Sequence, residues 1–445
     1  MSWRGSLAAR TAAMPPETPH IHWVSPLPPA ETDIAHYTQR ILPALTERAD
    51  VTLWTDAFSW SPDLGKSWSV RKLNPATITP ANMRSEKARP GQADVVFVQI
   101  GNSGDFHSGF LQLARRIPTI VVLHDLALQE MYFQTIAKRL MSLEDYLGEM
   151  AFWYGDAARQ ECRVSWAGQV PPSELSQNIP GFELLMENAV SVVTHTSMAH
   201  AAVADRSFVP AYQLELPYKA DATASCDRAT SGPLRLMQFG YINPNRRLET
   251  VLEALAELGP DFDFIFDICG KLWDPERIQQ QCDQLGLTDK VHLHGFIPEP
   301  QLDAMLAKAH LVFNLRNPTM GEASGSQLRI WNAAAASVVT DDGWYRDVPD
   351  NTVFRIPKDG EVASLKTLLH QISQDPHIAM AKGAEGRKRL LDRHSPEHYA
   401  DGVVQIAQAF GRDAHDAVLA KAARHFLTGN SVHTDLLHER LSTLF

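Results

Sequence analysis

The sequence predicts an α/β protein made of two tandem doubly wound domains. Three observations predict it. Short apolar runs ending in Gly, Asp, Asn or His alternate with helical patterns nearly throughout. The runs lack the polar alternation of half-exposed strands, so they read as buried parallel strands. One polar stretch rich in turn formers, "PYKADATASCDRATSGP" at 217–233, splits the series in two. Strand–helix alternation around parallel strands gives doubly wound layers.

The first half holds the strand-like runs "HIHWV", "DVTLW", "ADVVFVQIG", "IPTIVVLHD", "AVSVVTHT" and "AYQLELP". The second holds "PLRLMQFG", "DFIFDICG", "KVHLHGF", "AHLVFNL", "ASVVTDD" and "VFRIP". Between the latter lie helical patterns such as "LETVLEALAEL", "SQLRIWNAAAA" and "ASLKTLLHQISQ". Two regions leave the alternation. Residues 127–187 are a helical excursion rich in Leu, Met and aromatics, and residues 396–445 form a helical tail. The expected division is a disordered start at 1–19, a first domain at 20–216, the linker, a second domain at 234–395 and the tail.

The chain has 445 residues, with 44% apolar and 21% charged residues, which is ordinary for a globular protein. A formal charge of −11 argues against sequence-independent nucleic-acid binding, which needs a basic surface. The four cysteines are widely spaced, with no C-x-x-C or Cys/His ligand cluster. A reduced cytoplasmic protein with free thiols is expected. No secretory h-region opens the chain and no apolar run reaches bilayer length, so any membrane role is expected to be peripheral, at the inner face.

Ligands of doubly wound sheets sit outside the carboxyl ends of the strands. Candidate chemistry is therefore sought just after strands. In "RNPTMGEASGSQLRIW", Ser324 and Gln327 fit an S-x-x-Q capping box, which is a complete structural reading of Ser324. The Gly325 and Ser326 amides that follow suit a phosphate at a helix N-terminus. Glu322, in the loop before the cap, suits sugar hydroxyls or plain solvent. In "FGYINPNRRLETVLEAL", a strand ends at Gly240 and Arg246–Arg247 open a helix. Cations there oppose the macrodipole, and a bound anion would compensate. "VVLHDL" places His124 and Asp125 at a strand end, with Asp125 a candidate to orient the imidazole. "QIGNSGDFH" lacks the G-x-G-x-x-G dinucleotide fingerprint, so a nicotinamide enzyme is discounted. In "SPLPPAETDIAHYTQRILPAL", Glu31 or Thr32 is the expected helix cap.

Together these stretches, with "VHLHGFIPEPQLDAMLAKAHLVFNL", resemble glycosyltransferase family 4, retaining enzymes of the GT-B fold, and a bacterial branch that modifies polysaccharides and related glycans. The resemblance spans residues 20–410, and its specificity lies in the ordered series of motifs. It implies two Rossmann-like domains facing a cleft, with the C-terminal helices crossing back to the first. It implies a nucleoside-diphosphate sugar as donor (UDP-, GDP- or dTDP-linked), a glycan or lipid-linked acceptor, no cofactor and no metal.

Residue by residue, the resemblance puts Arg246 at the diphosphate, Glu322 and His124 at the donor sugar, and the Gly325 and Ser326 amides on phosphate oxygens near Gly240. The acceptor is expected on the first domain, near His107 and the excursion. Three departures stand out. Tyr241 replaces the family's first pyrophosphate Arg, for which Arg247 or Arg316 is the candidate substitute. The first-domain loop "PPAETDIAHY" has no glycine. Arg329 occupies the place of the second Glu of E-x7-E, which binds ribose in the family. These departures keep two other readings open: a non-catalytic GT-B glycan- or partner-binding protein, and another GT-B enzyme such as a nucleotide-sugar epimerase or a phosphorylase.

Overall fold

The computed structural model describes residues 18–84, 94–206, 209–221 and 228–428. The expected disordered start therefore lies almost wholly outside the described residues. So do residues 222–227 of the linker, Cys226 among them, and residues 429–445 of the tail.

Thirteen strands form two sheets. The first contains β1 (His20–Val24), β2 (Asp50–Thr55), β3 (Ser69–Lys72), β4 (Asp94–Ile100), β5 (Thr119–Leu123), β6 (Ala189–Thr194) and β7 (Ala211–Gln213). Their order is β3-β2-β1-β4-β5-β6-β7, parallel throughout. The second contains β8 (Leu234–Ile242), β9 (Phe264–Leu272), β10 (Val291–Gly295), β11 (Leu311–Phe313), β12 (Ala336–Thr340) and β13 (Phe354–Ile356), in the order β10-β9-β8-β11-β12-β13 and again parallel. Each order reverses once, between β1 and β4 and between β8 and β11. These are the switch points where doubly wound sheets open a crevice.

The central strands are buried on both faces, as their unbroken apolar runs require; β1, β5, β6 and β12 have no exposed residue. The sequence reading missed β3. Its "SVRK" is a short, largely exposed edge strand with no apolar run to mark it.

The excursion between β5 and β6 is four helices, Gln129–Ala137, Leu143–Tyr154, Asp156–Trp166 and Pro172–Asn178. Its large residues are mostly core: Tyr132, Tyr146, Met150 and Phe182 are buried in the first domain's apolar cluster. The tail is a single long helix, Pro396–Thr428, which returns to the first domain. Tyr399 and Tyr37 hydroxyls hydrogen-bond to each other, Arg48 Nε meets Asp401 Oδ1 at 2.5 Å, and Tyr212 donates to Asp413 at 2.7 Å. Among the described residues no helix is long and apolar enough to cross a membrane.

Candidate active site

The loops after the strands of the two sheets meet across the domain boundary. Leu126 and Ala127 N–H both donate to Met320 O, at 3.0 and 3.1 Å. Thr196 Oγ1 donates to Gly321 O at 3.2 Å, and Ser197 N–H to Asp347 at 2.9 Å. The ends of β5 and β6 thus touch the loops around β11 and β12, next to His124, Asp125 and Glu322 in the chain.

Arg246 follows β8 and is 5% exposed. One guanidinium nitrogen donates to Phe239 O at 3.3 Å, while Nε has no partner among the described residues. No described carboxylate lies within 4.0 Å of it. A buried cation without a counter-ion is costly unless an anion arrives. Arg247, next along, caps the helix Leu248–Ala256 with φ of +59°. Its compensating anion is internal: Nη2 and Nε lie 2.6 and 2.7 Å from one oxygen of the buried Glu361. Gly240 has φ of +101° and open space where a side chain would be, so the glycine is required by backbone conformation.

The helix Gly325–Asn332 begins after Ser324, whose Oγ accepts from Gln327 N–H at 3.1 Å. The capping box is half formed. The Gln327 amide accepts from Asn314 at 3.0 Å and donates to Ser337 at 2.8 Å instead of reaching back. The Gly325 and Ser326 N–H groups make no hydrogen bond among the described residues. One first-domain group faces this terminus: Asp33 Oδ2 lies 4.0 Å from where a Gly325 Cβ would sit. Asp33 opens its own helix, Asp33–Thr46, after the cap Thr32, as read from the sequence.

Glu322 binds its own loop. Oε1 accepts from Arg316 Nε at 2.8 Å, and Oε2 accepts from Met320 N–H at 2.7 Å and Thr319 Oγ1 at 3.1 Å. Arg316 Nη1 has no partner among the described residues. Arg329 is committed elsewhere. Its Nε donates to Asp303 at 2.8 Å and its Nη1 to Glu299 at 3.0 Å, both on the helix Glu299–Leu306.

His124 Nε2 lies 2.9 Å from Gln99 Oε1, and its ring packs edge-on against Tyr37 and beside His195. Burial, then the neighbouring His195 and His107, hold its pKa well below the usual imidazole range, so the ring is neutral. Asp125 does not orient His124. Its Oδ2 accepts from Asn102 N–H at 2.7 Å, and burial followed by the nearby Glu322 pushes its pKa up to about 7. His107 is buried, with Nδ1 3.0 Å from Gln99 O, so it ties the helix Gly104–Ala114 to the end of β4.

Sequence reasoning missed Gln99, Glu361, Glu299 and Asp303. All four act through residues distant in sequence, and no local pattern marks them. A further cluster lies at the opposite end of the first sheet, where His20 Nδ1 and His22 Nε2 sit 3.0 and 3.2 Å from Asp94 Oδ1. Trp54 Nε1 points at His22 Nδ1, 3.1 Å away. An indole only donates, so the His22 proton sits on Nε2, aimed at Asp94. The cluster is a closed hydrogen-bond chain tying β1, β2 and β4, not an open ligand set.

The fold is GT-B. Three solved structures share it over nearly their whole length. Anabaena HepE in complex with UDP-glucose has 13% identity and a TM-score of 0.57, covering 88% of this chain and 99% of that one. The sucrose-phosphate synthase of Thermosynechococcus elongatus has 15% identity and a TM-score of 0.57, with the same coverages of 88% and 99%. WaaG, a glycosyltransferase involved in lipopolysaccharide biosynthesis, has 15% identity and a TM-score of 0.53, covering 87% and 99%. The alignment to TarM spans only 49% of this chain and 43% of that one, at a TM-score of 0.43. Residues 228–389, the second domain, match the family model "Glycosyl transferases group 1". No curated protein matches the sequence significantly.

Proposed function

We propose that this protein is a retaining glycosyltransferase that moves a hexose-type sugar from a nucleoside-diphosphate sugar to a hydroxyl of a glycan or lipid-linked acceptor. The observation that carries this reading is Arg246, a buried guanidinium with no carboxylate partner among the described residues, after the central strand of the domain that matches the glycosyltransferase family model. The free N-terminus of the helix Gly325–Asn332 adds a second positive pole.

In the reaction, the bond from the anomeric carbon to the phosphate oxygen breaks and its electron pair goes to the phosphate. Arg246 and the Gly325 and Ser326 amides stabilise that charge; one preorganised donor of this kind is typically worth about 3 kcal/mol. The acceptor hydroxyl attacks from the same face, and its proton passes to the departing phosphate oxygen. The neutral His124 contacts the transferred sugar. Cationic side chains carry the charge, so the reaction is metal-independent, needs no cofactor beyond the donor and persists in EDTA. UDP, GDP and dTDP donors all fit this scheme; among the fold relatives, HepE is seen with UDP-glucose. The setting we propose is the cytoplasm or the inner membrane face.

A second reading, a non-catalytic GT-B binding protein, is favoured by one observation: Asp33 carries negative charge toward the helix terminus that a diphosphate would use. A thermal-shift screen against nucleoside diphosphates and nucleotide sugars separates the two, because selective binding stabilises the fold by mass action. Stabilisation by one nucleotide class, followed by transfer with retained anomeric configuration, is expected. No stabilisation by any nucleotide would establish the second reading. Product analysis with donor alone tests for an epimerase, which needs no acceptor.

A further inference from the structure

The loop after β5 carries a carboxylate that the reading above leaves without a task. His124 N–H donates to Ile100 O at 2.9 Å, and Leu128 N–H to Pro180 O at 2.8 Å. With the paired bonds of Leu126 and Ala127 to Met320 O, these contacts hold Asp125 rigidly at the domain boundary, beside the Glu322 loop. Its two oxygens differ. Oδ2 is pinned by Asn102 N–H at 2.7 Å. Oδ1 has no partner among the described residues, yet it is not sealed from solvent. No described cation lies within 4.0 Å of Asp125.

Glu322 is the opposite case. An ionised carboxylate offers about four acceptor sites, and Arg316, Met320 and Thr319 fill most of them. Of the two facing carboxyl groups, the one from the first domain is open and the one from the second is largely used. The strand ends beneath hold further unmet polar atoms. Gln99 is wholly buried and keeps Nε2 unpartnered while Oε1 engages His124, and His195 Nε2 is buried and unpartnered beside the same ring.

Two carboxyl groups at one domain boundary, one already neutralised by Arg316, disfavour a phosphate there. They want hydroxyl donors. A hydroxyl also suits Asp125 in either protonation state, because it can donate to the carboxylate or accept from the acid.

We propose that Asp125 Oδ1 is a substrate-contacting group that binds a hydroxyl of the transferred sugar from the first-domain side. The proposal rests on the glycosyl-transfer reading. It makes sugar recognition depend on both domains. The nucleoside diphosphate is held by the second domain, and the sugar is checked by the first.

The test is Asp125→Asn. Asparagine keeps an oxygen for Asn102 N–H and replaces only the open oxygen by an amide, so the loop stays pinned; a melting temperature no lower than the wild type's at pH 6 checks this. The probes are the nucleotide sugar that stabilises the wild type best and its parent nucleoside diphosphate. The variant should hold the nucleoside diphosphate within about twofold but bind the nucleotide sugar, and turn it over in kcat/KM, roughly 10–100-fold less well, the size of a lost charged hydrogen bond. Wild-type affinity and turnover with the nucleotide sugar would overturn the proposal, as would equal losses for both probes. A wild type that binds no nucleotide at all would instead overturn the underlying reading, and the proposal with it.

Discussion

At the scale of single residues, the site is built from charges whose partners decide their use. Arg246 is buried with no counter-ion among the described residues, so the ligand-free protein carries its desolvation cost. Arg246→Met should therefore raise the melting temperature of the ligand-free protein by about 1–3 °C, while lowering transfer at least 100-fold. Differential scanning fluorimetry with and without nucleotide, plus a transfer assay, checks both halves. Glu322 differs: removing it unpairs Arg316, a guanidinium only 13% exposed. Glu322→Ala should lose activity and also about 2–3 kcal/mol of stability, whereas Glu322→Gln keeps part of the loop's hydrogen bonding and most of the stability. The sequence alone supports a functional loss without a folding cost, and the bonds to Thr319 and Met320 are what change that expectation. Asp125 yields a pH prediction whose sign can be worked out. Its pKa rises from the ordinary 3.8 to about 7 on folding, so between those values the folded chain holds the extra proton. Its contribution to stability is then greatest at low pH and is lost as pH rises through about 7. His107 and His195 act in reverse. Burial lowers each from 6.5 to about 4, and stability is lost as pH falls through that window. The net profile mixes both, but the difference between proteins isolates Asp125. The melting temperature of Asp125→Asn should gain on the wild type as pH rises from about 4 to about 7 and then hold level.

At the scale of elements, Arg329, one of the departures from the pattern the sequence resembles, resolves into packing. Arg329 lies on the helix Gly325–Asn332 and clamps the helix Glu299–Leu306 through Glu299 and Asp303. Arg329→Met should cost about 1–3 kcal/mol, the scale of hydrogen bonds to charged groups, and leave nucleoside-diphosphate affinity within about threefold; chemical denaturation and calorimetry measure the two quantities. Much of this scale was legible in the sequence. Central strands such as "TIVVL" and "ASVVT" advertise themselves because burial on both faces forces an unbroken apolar run. Thr32 and Ser324 advertise helix starts because their hydroxyls have a local amide to accept. What was not legible depends on distance along the chain. Glu361 answers Arg247 from more than a hundred residues away, and Asp125 stands near Glu322 only because two separate domains close. The edge strand β3 was illegible for another reason: exposure removes the apolar signal that the other strands share.

At the scale of the whole molecule, both domains and the tail converge on one boundary, and a single glycine sets how closely they meet. Gly321 has φ of +76°, and a Cβ there would lie 2.6 Å from Leu126 Cβ in the other domain. Real carbon atoms do not approach so closely, and neither partner is the end of a flexible side chain. The Gly321 carbonyl also receives Thr196 Oγ1, and the adjacent Met320 carbonyl receives Leu126 and Ala127. Gly321→Ala must therefore strain the 319–322 turn or push the domains apart at the point where both contribute to the site. Gly321 belongs to neither domain's apolar core and the Tyr37–Tyr399 hydrogen bond does not involve it, so each domain should stay folded. The expected outcome is a folded protein with a larger radius of gyration by small-angle scattering. Nucleoside diphosphate, held by the second domain alone, should bind nearly as before. Nucleotide-sugar turnover should fall by about tenfold or more, since even a displacement of about 1 Å of positioning groups is costly to a reaction that depends on their alignment. Unchanged scattering together with unchanged turnover would show that the boundary tolerates the methyl group and that closure is set elsewhere.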